Sequence, residues 1–209
     1  MKLVLATRNR GKVREFDRML SETKSSIGDR GLEDKRVVEL LSLADYPDAP
    51  DVIEDGNTYE ENAAKKATRI AQYTGHLTLA DDSGLEVDAL NGAPGVHSAR
   101  YAGENASDAE RIEKLLDALK NIPDEQRTAR FKCAIALADV EGRTQVVVGV
   151  CEGRILREAR GSQGFGYDPV FVPSGYDQTF AELGEGVKNR ISHRARALAM
   201  ARELLKELV

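Results

Sequence analysis

A mixed α/β sheet flanked by helices is the architecture this sequence predicts, and three observations predict it. The chain opens strand, loop, helix; two capping boxes start amphipathic helices; and two apolar runs in the second half join at a turn. Helices and strands alternating early, followed by a hairpin, make a sheet with both kinds of neighbour. No repeat, low-complexity linker or composition break marks a second independent domain, so residues 1–209 read as one domain.

The elements follow in order. Leu3-Val4-Leu5-Ala6 is a buried-strand run, the polar loop Thr7-Arg8-Asn9-Arg10-Gly11 follows it, and Val13, Phe16 and Leu20 then recur at helical spacing. Residues 21–50 are polar and irregular, with a short helix expected around Val37 to Leu43, after which Pro47 and Pro50 force an extended connection. Thr58-Tyr59-Glu60-Glu61 has the form of a capping box, and the helix it starts should turn Ala63, Ala67, Ile70 and Ala71 inward. His76 to Ala80 reads as a strand ended by a turn at Ser83-Gly84. A second capping box, Ser107 to Glu110, opens a helix with Ile112, Leu115, Leu116 and Leu119 on one stripe. Phe131 to Val140 and Gln145 to Val150 form the hairpin, turning at Glu141-Gly142, and Asp168 to Val172 reads as a further strand. Ser192 caps a last helix with Leu198, Ala201, Leu205 and Leu208 facing the core.

Bulk properties exclude several classes. The chain is 41% hydrophobic and 31% charged with a formal net charge of −5 and no Lys/Arg-rich block, which disfavours a nucleic-acid partner. The run Met1 to Ala6 has one basic residue and is too short for a signal peptide, and no apolar stretch reaches a membrane span, so a cytoplasmic protein with no membrane partner is expected. Cys133 and Cys151 have no metal-ligand spacing and sit in strand-like runs as small hydrophobes. His76 and His97 have no partner at a metal-ligand spacing, and no nucleophile elbow is present.

Five stretches carry candidate chemistry. Thr7-Arg8-Asn9-Arg10-Gly11-Lys12 lies between strand and helix, where N–H groups, the helix dipole and the Lys12 charge favour phosphate. It is not a P-loop, because Ala6 stands where that motif needs glycine and Val13 where it needs Ser or Thr; a plain surface loop fits the same pattern. Asp81-Asp82-Ser83 places adjacent carboxylates at the end of an apolar run. These hard oxygen ligands suit Mg²⁺, and a solvated turn fits equally. Glu54 and Asp55 either stabilise the following helix N-terminus or supply a metal ligand. Gly161 to Pro169 brackets Phe165 with glycines and leaves a flat ring for stacking, whereas Lys188, His193 and Arg194 put cations at an expected helix N-terminus, against the dipole.

Taken together, these stretches resemble the non-canonical purine NTP pyrophosphatase family, the inosine/xanthosine triphosphatases. The matching segments are L-A-T-R-N-R-G-K-V-R-E-F (5–16), E-D-G-N-T-Y-E-E-N-A (54–63), L-A-D-D-S-G-L (79–85), G-A-P-G-V-H-S-A-R-Y-A-G (92–103), G-F-G-Y-D-P-V-F (164–171) and I-S-H-R (191–194). They run in the family's order along essentially the whole chain, except that residues 21–50 match poorly. The resemblance implies an elongated α/β fold of two lobes around a long central mixed sheet with the nucleotide in the cleft between them. It also implies a homodimer and Mg²⁺-dependent hydrolysis of ITP, dITP and XTP to the monophosphate and pyrophosphate.

Residue roles are implied with it. Thr7, Asn9 and Lys12, within a substrate loop that includes Arg8, Arg10 and Gly11, would hold the triphosphate, with Lys188 as a further cation. Glu54 and Asp82 would hold Mg²⁺, Asp82 would be the general base, Asp81 would orient the arrangement and Glu15 would join the outer shell. Phe165 would stack on the purine beside Gly166 and Tyr167. Asp168, His193 and Arg194 would read the base edge, and Ser83 would touch the substrate. Donors there pair with a 6-oxo group and clash with a 6-amino group, a mismatch costing roughly 1–3 kcal/mol for each unpaired buried group. The alternatives are a pyrophosphatase for other modified or canonical NTPs, and a nucleotide-binding module without catalysis; intact Glu54, Asp81 and Asp82 weigh against the latter.

Overall fold

The computed structural model describes residues 2–9, 11–14, 16 and 39–207. Six strands form one mixed sheet in the order β2-β1-β3-β4-β5-β6, where β1 is Lys2–Leu5, β2 Glu39–Ser42, β3 Leu77–Val87, β4 Thr128–Ala138, β5 Thr144–Ile155 and β6 Phe171–Pro173. Helices α1 (Tyr59–Thr74), α2 (Asp108–Ala118), α3 (Phe180–Ile191) and α4 (His193–Glu207) flank it. The expected contributions of Leu20, residues 21–38 and Leu208 lie outside the described residues, as do Arg10 and Glu15.

The described residues fall into two compact units, one drawn from Met1–Asp82, Ala134–Val147 and Leu198–Val209, the other from Ser83–Cys133 and Val148–Ala197. In the first, β1 pairs in parallel with β2 on one side and β3 on the other, so its apolar run is buried throughout. Helix α1 packs by Ala63, Ala67, Ile70 and Ala71, all buried as expected from their spacing. Thr58 Oγ1 accepts the Glu61 N–H at 3.1 Å, but Glu61 Oε2 accepts from Asn57 N–H at 2.8 Å, one residue before the cap, so the box is only half formed.

In the second unit Leu85, Val87, Ile112, Leu115, Leu119, Phe131, Cys151, Tyr167, Phe171 and Phe180 share one core. The Ser107/Glu110 box closes in both directions, as expected, and starts α2. Arg127, 2% exposed, donates to the carbonyls of Leu119, Ile155 and Leu156 and so ties the end of α2 to the end of β5.

Four expectations are corrected. The stretch expected as a helix around Val37 to Leu43 is strand β2 from Glu39, because Leu40 and Leu41 pair in register with Leu3 and Val4; a short 3₁₀ turn, Leu43–Asp45, follows. No turn occurs at Ser83-Gly84. The strand continues to Val87: Leu85 and Val87 are themselves buried, and their N–H groups donate to Ser98 Oγ and the Ala93 carbonyl. The strand expected from Asp168 is confined to Phe171–Pro173, paired antiparallel with Gly153 to Ile155, while Asp168 and Val170 donate back to Phe165 and Tyr167 in turns. Finally, the cations at 188–194 do not all sit at one helix start. Lys188 lies in the last turn of α3, where a positive charge complements the dipole, and only His193 and Arg194 open α4.

Candidate active site

In the first unit the loop after β1 is organised by its own side chains. Thr7 Oγ1 accepts the Asn9 N–H at 3.2 Å, and Asn9 Oδ1 accepts the N–H groups of Gly11 at 2.8 Å and Lys12 at 3.2 Å. Those two N–H groups are thus held by Asn9, and the Lys12 ammonium lies 3.0 Å from Asp81 Oδ2. Arg8 Nη2 donates to the Ala49 carbonyl at 2.8 Å, and its Nε lies 3.6 Å from Asp51.

Because β3 runs on through the acidic pair, Asp81 and Asp82 stand on a rigid strand rather than a turn, and both are buried. Helix α1 supplies two partners one turn apart. Asn62 Nδ2 donates to Asp82 Oδ2 at 3.0 Å while its Oδ1 accepts the Gly56 N–H at 2.8 Å, and Lys66 Nζ forms a short ion pair with Glu54. Burial and the like charge of Glu54 push the Asp82 carboxyl above the usual range, against the pull of Asn62, Lys66 and Lys12. Burial works against the Lys66 charge, yet Asp81, Glu54 and Asp82 together hold its pKa above the ordinary lysine value. The result is a cluster of three carboxylates and two ammonium groups. It can bind polyphosphate through the cations, and Glu54 with Asp82 offers hard oxygens to a metal. Among the described residues no three His, Cys, Asp or Glu side chains converge to hold a metal by themselves.

In the second unit the sequence-predicted residues gather around Phe165. Lys188 Nζ sits 2.6 Å from Asp168 Oδ2 and 4.3 Å from the Phe165 ring centroid, and the Arg194 guanidinium carbon is 5.8 Å from the same centroid. Arg194 Nη2 donates to Ser83 Oγ at 3.1 Å. Asp168 Oδ2 also accepts the Phe165 N–H at 2.9 Å, so one buried carboxylate ties the loop to the lysine. That arrangement needs glycine at 164, where φ is +81° and an added Cβ would overlap Asp168 Oδ2.

His193 is placed differently. Its ring stacks on Phe131 with centroids 4.7 Å apart at 13°, within an aromatic run that continues through Phe171 to Phe180. A Cβ at Gly149 would strike the His193 carbonyl and the Ala197 backbone, so α4 approaches β5 this closely only because residue 149 is glycine.

Sequence reasoning passed over Asn62, Lys66 and helix α3. The signals existed. Asn62 and Lys66 are four apart on the helix of the first capping box, and Thr179 to Glu182 is a third box, formed in both directions, that announces α3.

Comparison with known proteins adds a family. The Ham1 family model matches residues 3–204. A dITP/XTP pyrophosphatase of Desulforamulus reducens is 51% identical over 208 residues, spanning 100% of this chain and 97% of its own length. One from Geobacillus kaustophilus is 51% identical over 99% of this chain and 95% of its own. Among solved structures, a HAM1 protein from Coxiella burnetii superposes with a TM-score of 0.84 at 43% identity, covering 99% of both chains. The Staphylococcus aureus Ham1 protein gives a TM-score of 0.83 at 38% identity over 100% of both.

Proposed function

The chain belongs to the Ham1 family, and on that premise we propose a reading of its reaction and of the residues that carry it. The protein is a hydrolase that converts non-canonical purine nucleoside triphosphates (ITP, dITP, XTP) to monophosphate and pyrophosphate. The observation that carries the site assignment is the cluster of buried Asp81 and Asp82 on β3 with Lys66 on α1, Lys12 beyond β1 and Glu54 in the segment before α1.

In this reading Lys12 and Lys66 neutralise phosphate oxygens, Thr7 and Asn9 add hydrogen bonds, and Asp82 takes the proton of the water that attacks phosphorus in line. The raised pKa of Asp82, from burial and from Glu54, makes it a stronger proton acceptor than an ordinary aspartate. Asp81 holds Lys12 in place. Glu54 and Asp82 fit Mg²⁺, which characteristically takes one or two carboxylates and completes its shell with substrate phosphates and water, and whose proximity would relieve the repulsion between these two acids. Bound there, Mg²⁺ would supply phosphate charge neutralisation and a more acidic water. In the second unit Phe165 stacks on the purine, Lys188, Arg194 and Asp168 surround that ring or brace its loop, Ser83 accepts from Arg194, and His193 lies apart against Phe131.

The whole chain acts as one catalytic domain, a reading supported by the family match over 3–204. Among the described residues no helix is long and apolar enough to cross a membrane; we assign the enzyme to the cytoplasm and to a homodimeric state, which light scattering checks. The reaction assignment is tested by Asp82→Asn. Pyrophosphate release from ITP should fall by at least about 10²–10⁴-fold, with nucleotide still bound. Removing divalent cations with EDTA should abolish release and added Mg²⁺ should restore it. Near-normal turnover in either case contradicts the assigned roles.

A further inference from the structure

The loop that carries Phe165 depends on restraint. The ring hangs between Gly164 and Gly166, both at positive φ, so the local backbone has unusual freedom to lose. A cavity of about 740 Å³, lined by Asp108, Ile112, Leu116, Gln163, Phe165 and Pro169 among others, lies against the loop on the α2 side. Packing does not hold the loop from that direction, so hydrogen bonds must.

Two such anchors hold it, the first from a residue outside those assigned above. Asp108, the first residue of α2, accepts the Gly166 N–H on Oδ2 at 2.6 Å, and its Oδ1 pairs with Arg111 Nη2 at 2.9 Å. Arg111 in turn donates to the carbonyls of Ala99 and Ala106, each at 2.9 Å. The second anchor is the Tyr167 hydroxyl, which donates to the Ser98 carbonyl at 2.9 Å. Ser98 is itself fixed, because its Oγ accepts the Leu85 N–H at 2.9 Å and donates to the Gly95 carbonyl at 2.6 Å. The segment 92–103, which the reaction itself leaves without a role, is thereby the frame on which the loop is mounted.

We propose that Asp108 is a positioning residue for purine recognition: through the Gly166 N–H it fixes the Phe165 ring in its stacking orientation and so sets base selectivity without touching substrate. This rests on the assignment of Phe165 to the purine. A carboxylate accepting a backbone N–H at this distance is a charge-assisted bond, stronger than a neutral one, and loss of it frees the loop toward the cavity. The competing role is purely local, a negative charge favouring the α2 N-terminus.

The experiment compares wild type with Asp108→Ala, Asp108→Ser and Asp108→Asn. Pyrophosphate release is measured over a range of ITP and of ATP, the base-mismatched nucleotide. Asp108→Ala should raise KM for ITP about tenfold with a much smaller change in kcat, and should narrow the ITP-to-ATP preference. Asp108→Asn keeps an acceptor for Gly166 and should stay close to wild type. Serine is well suited to a helix start but too short to reach Gly166, so it should behave like alanine even if alanine folds poorly. A second readout needs no turnover. The chain contains no tryptophan, so Phe165→Trp installs a unique fluorophore, and in that background Asp108→Ala should increase acrylamide quenching while Asp108→Asn should not. Unchanged KM and unchanged quenching in both Ala and Ser variants would overturn the proposal. So would equal losses in Ala, Ser and Asn variants that track a lowered Tm. If wild type releases no pyrophosphate from ITP, the reaction assignment fails, and the quenching result still decides whether Asp108 restrains the loop.

Discussion

Replacing Lys188 by methionine removes an ammonium from a site where 5% of its side chain and 2% of its partner's is exposed. The Asp168 carboxylate keeps the Phe165 N–H at 2.9 Å but loses the ion pair at 2.6 Å, and the Phe165 ring loses the cation 4.3 Å above it. Removing one partner of a buried pair costs roughly 3–5 kcal/mol, because the surviving charge remains desolvated. For a chain of this size the unfolding entropy is about 0.4 kcal/mol/K, so Tm should fall by roughly 7–11 °C in scanning calorimetry. The double variant Lys188→Met/Asp168→Asn should recover part of that loss, since it removes the stranded charge along with its partner. A Tm within about 2 °C of wild type for Lys188→Met, or strictly additive losses in the double variant, would refute the reasoning.

Gly164→Ala forces a Cβ onto Asp168 Oδ2 at a φ of +81°, so it should displace the carboxylate from both Phe165 and Lys188. It should raise KM for ITP about tenfold or more, whereas an unchanged KM would mean the loop tolerates the shift. Cys133 and Cys151 are both buried, and burial pushes the Cys151 thiol up from 9.0 to about 11. Both should resist alkylation at neutral pH and react once the protein is unfolded in guanidinium, as mass spectrometry would record. Between pH 9 and about 11 the unfolded Cys151 ionises while the folded one keeps its proton, so its contribution to stability declines with rising pH across that window.

Much of the architecture was legible because local rules and tertiary structure agree. The alanine stripe of α1, the Ser107 box of α2 and the 139–143 turn all sit where spacing and capping chemistry put them. The misreadings came where long-range pairing outweighs local pattern. Glu39–Ser42 becomes a strand only because β1 lies beside it, and Ser83-Gly84 stays extended because the sheet continues past the acidic pair. The second case bears on function, since it puts Asp81 and Asp82 on a strand held from both ends. Among site residues, motif matching named Lys12, Glu54, Asp82, Phe165 and Lys188. It gave no role to Asn62 and Lys66, four apart on the helix of the first capping box, because their carboxylate partners are distant in sequence. Lys188 likewise looked unfavourable at a helix start and is favourable at the end of α3, a helix announced by Thr179 and Glu182.

The substrate panel reaches the centre of the account. The protein is incubated with Mg²⁺ and, separately, with ITP, XTP, GTP and dUTP, and pyrophosphate is measured. Strong selectivity for ITP and XTP is the expected result, and turnover of GTP equal to that of ITP would contradict the assigned function.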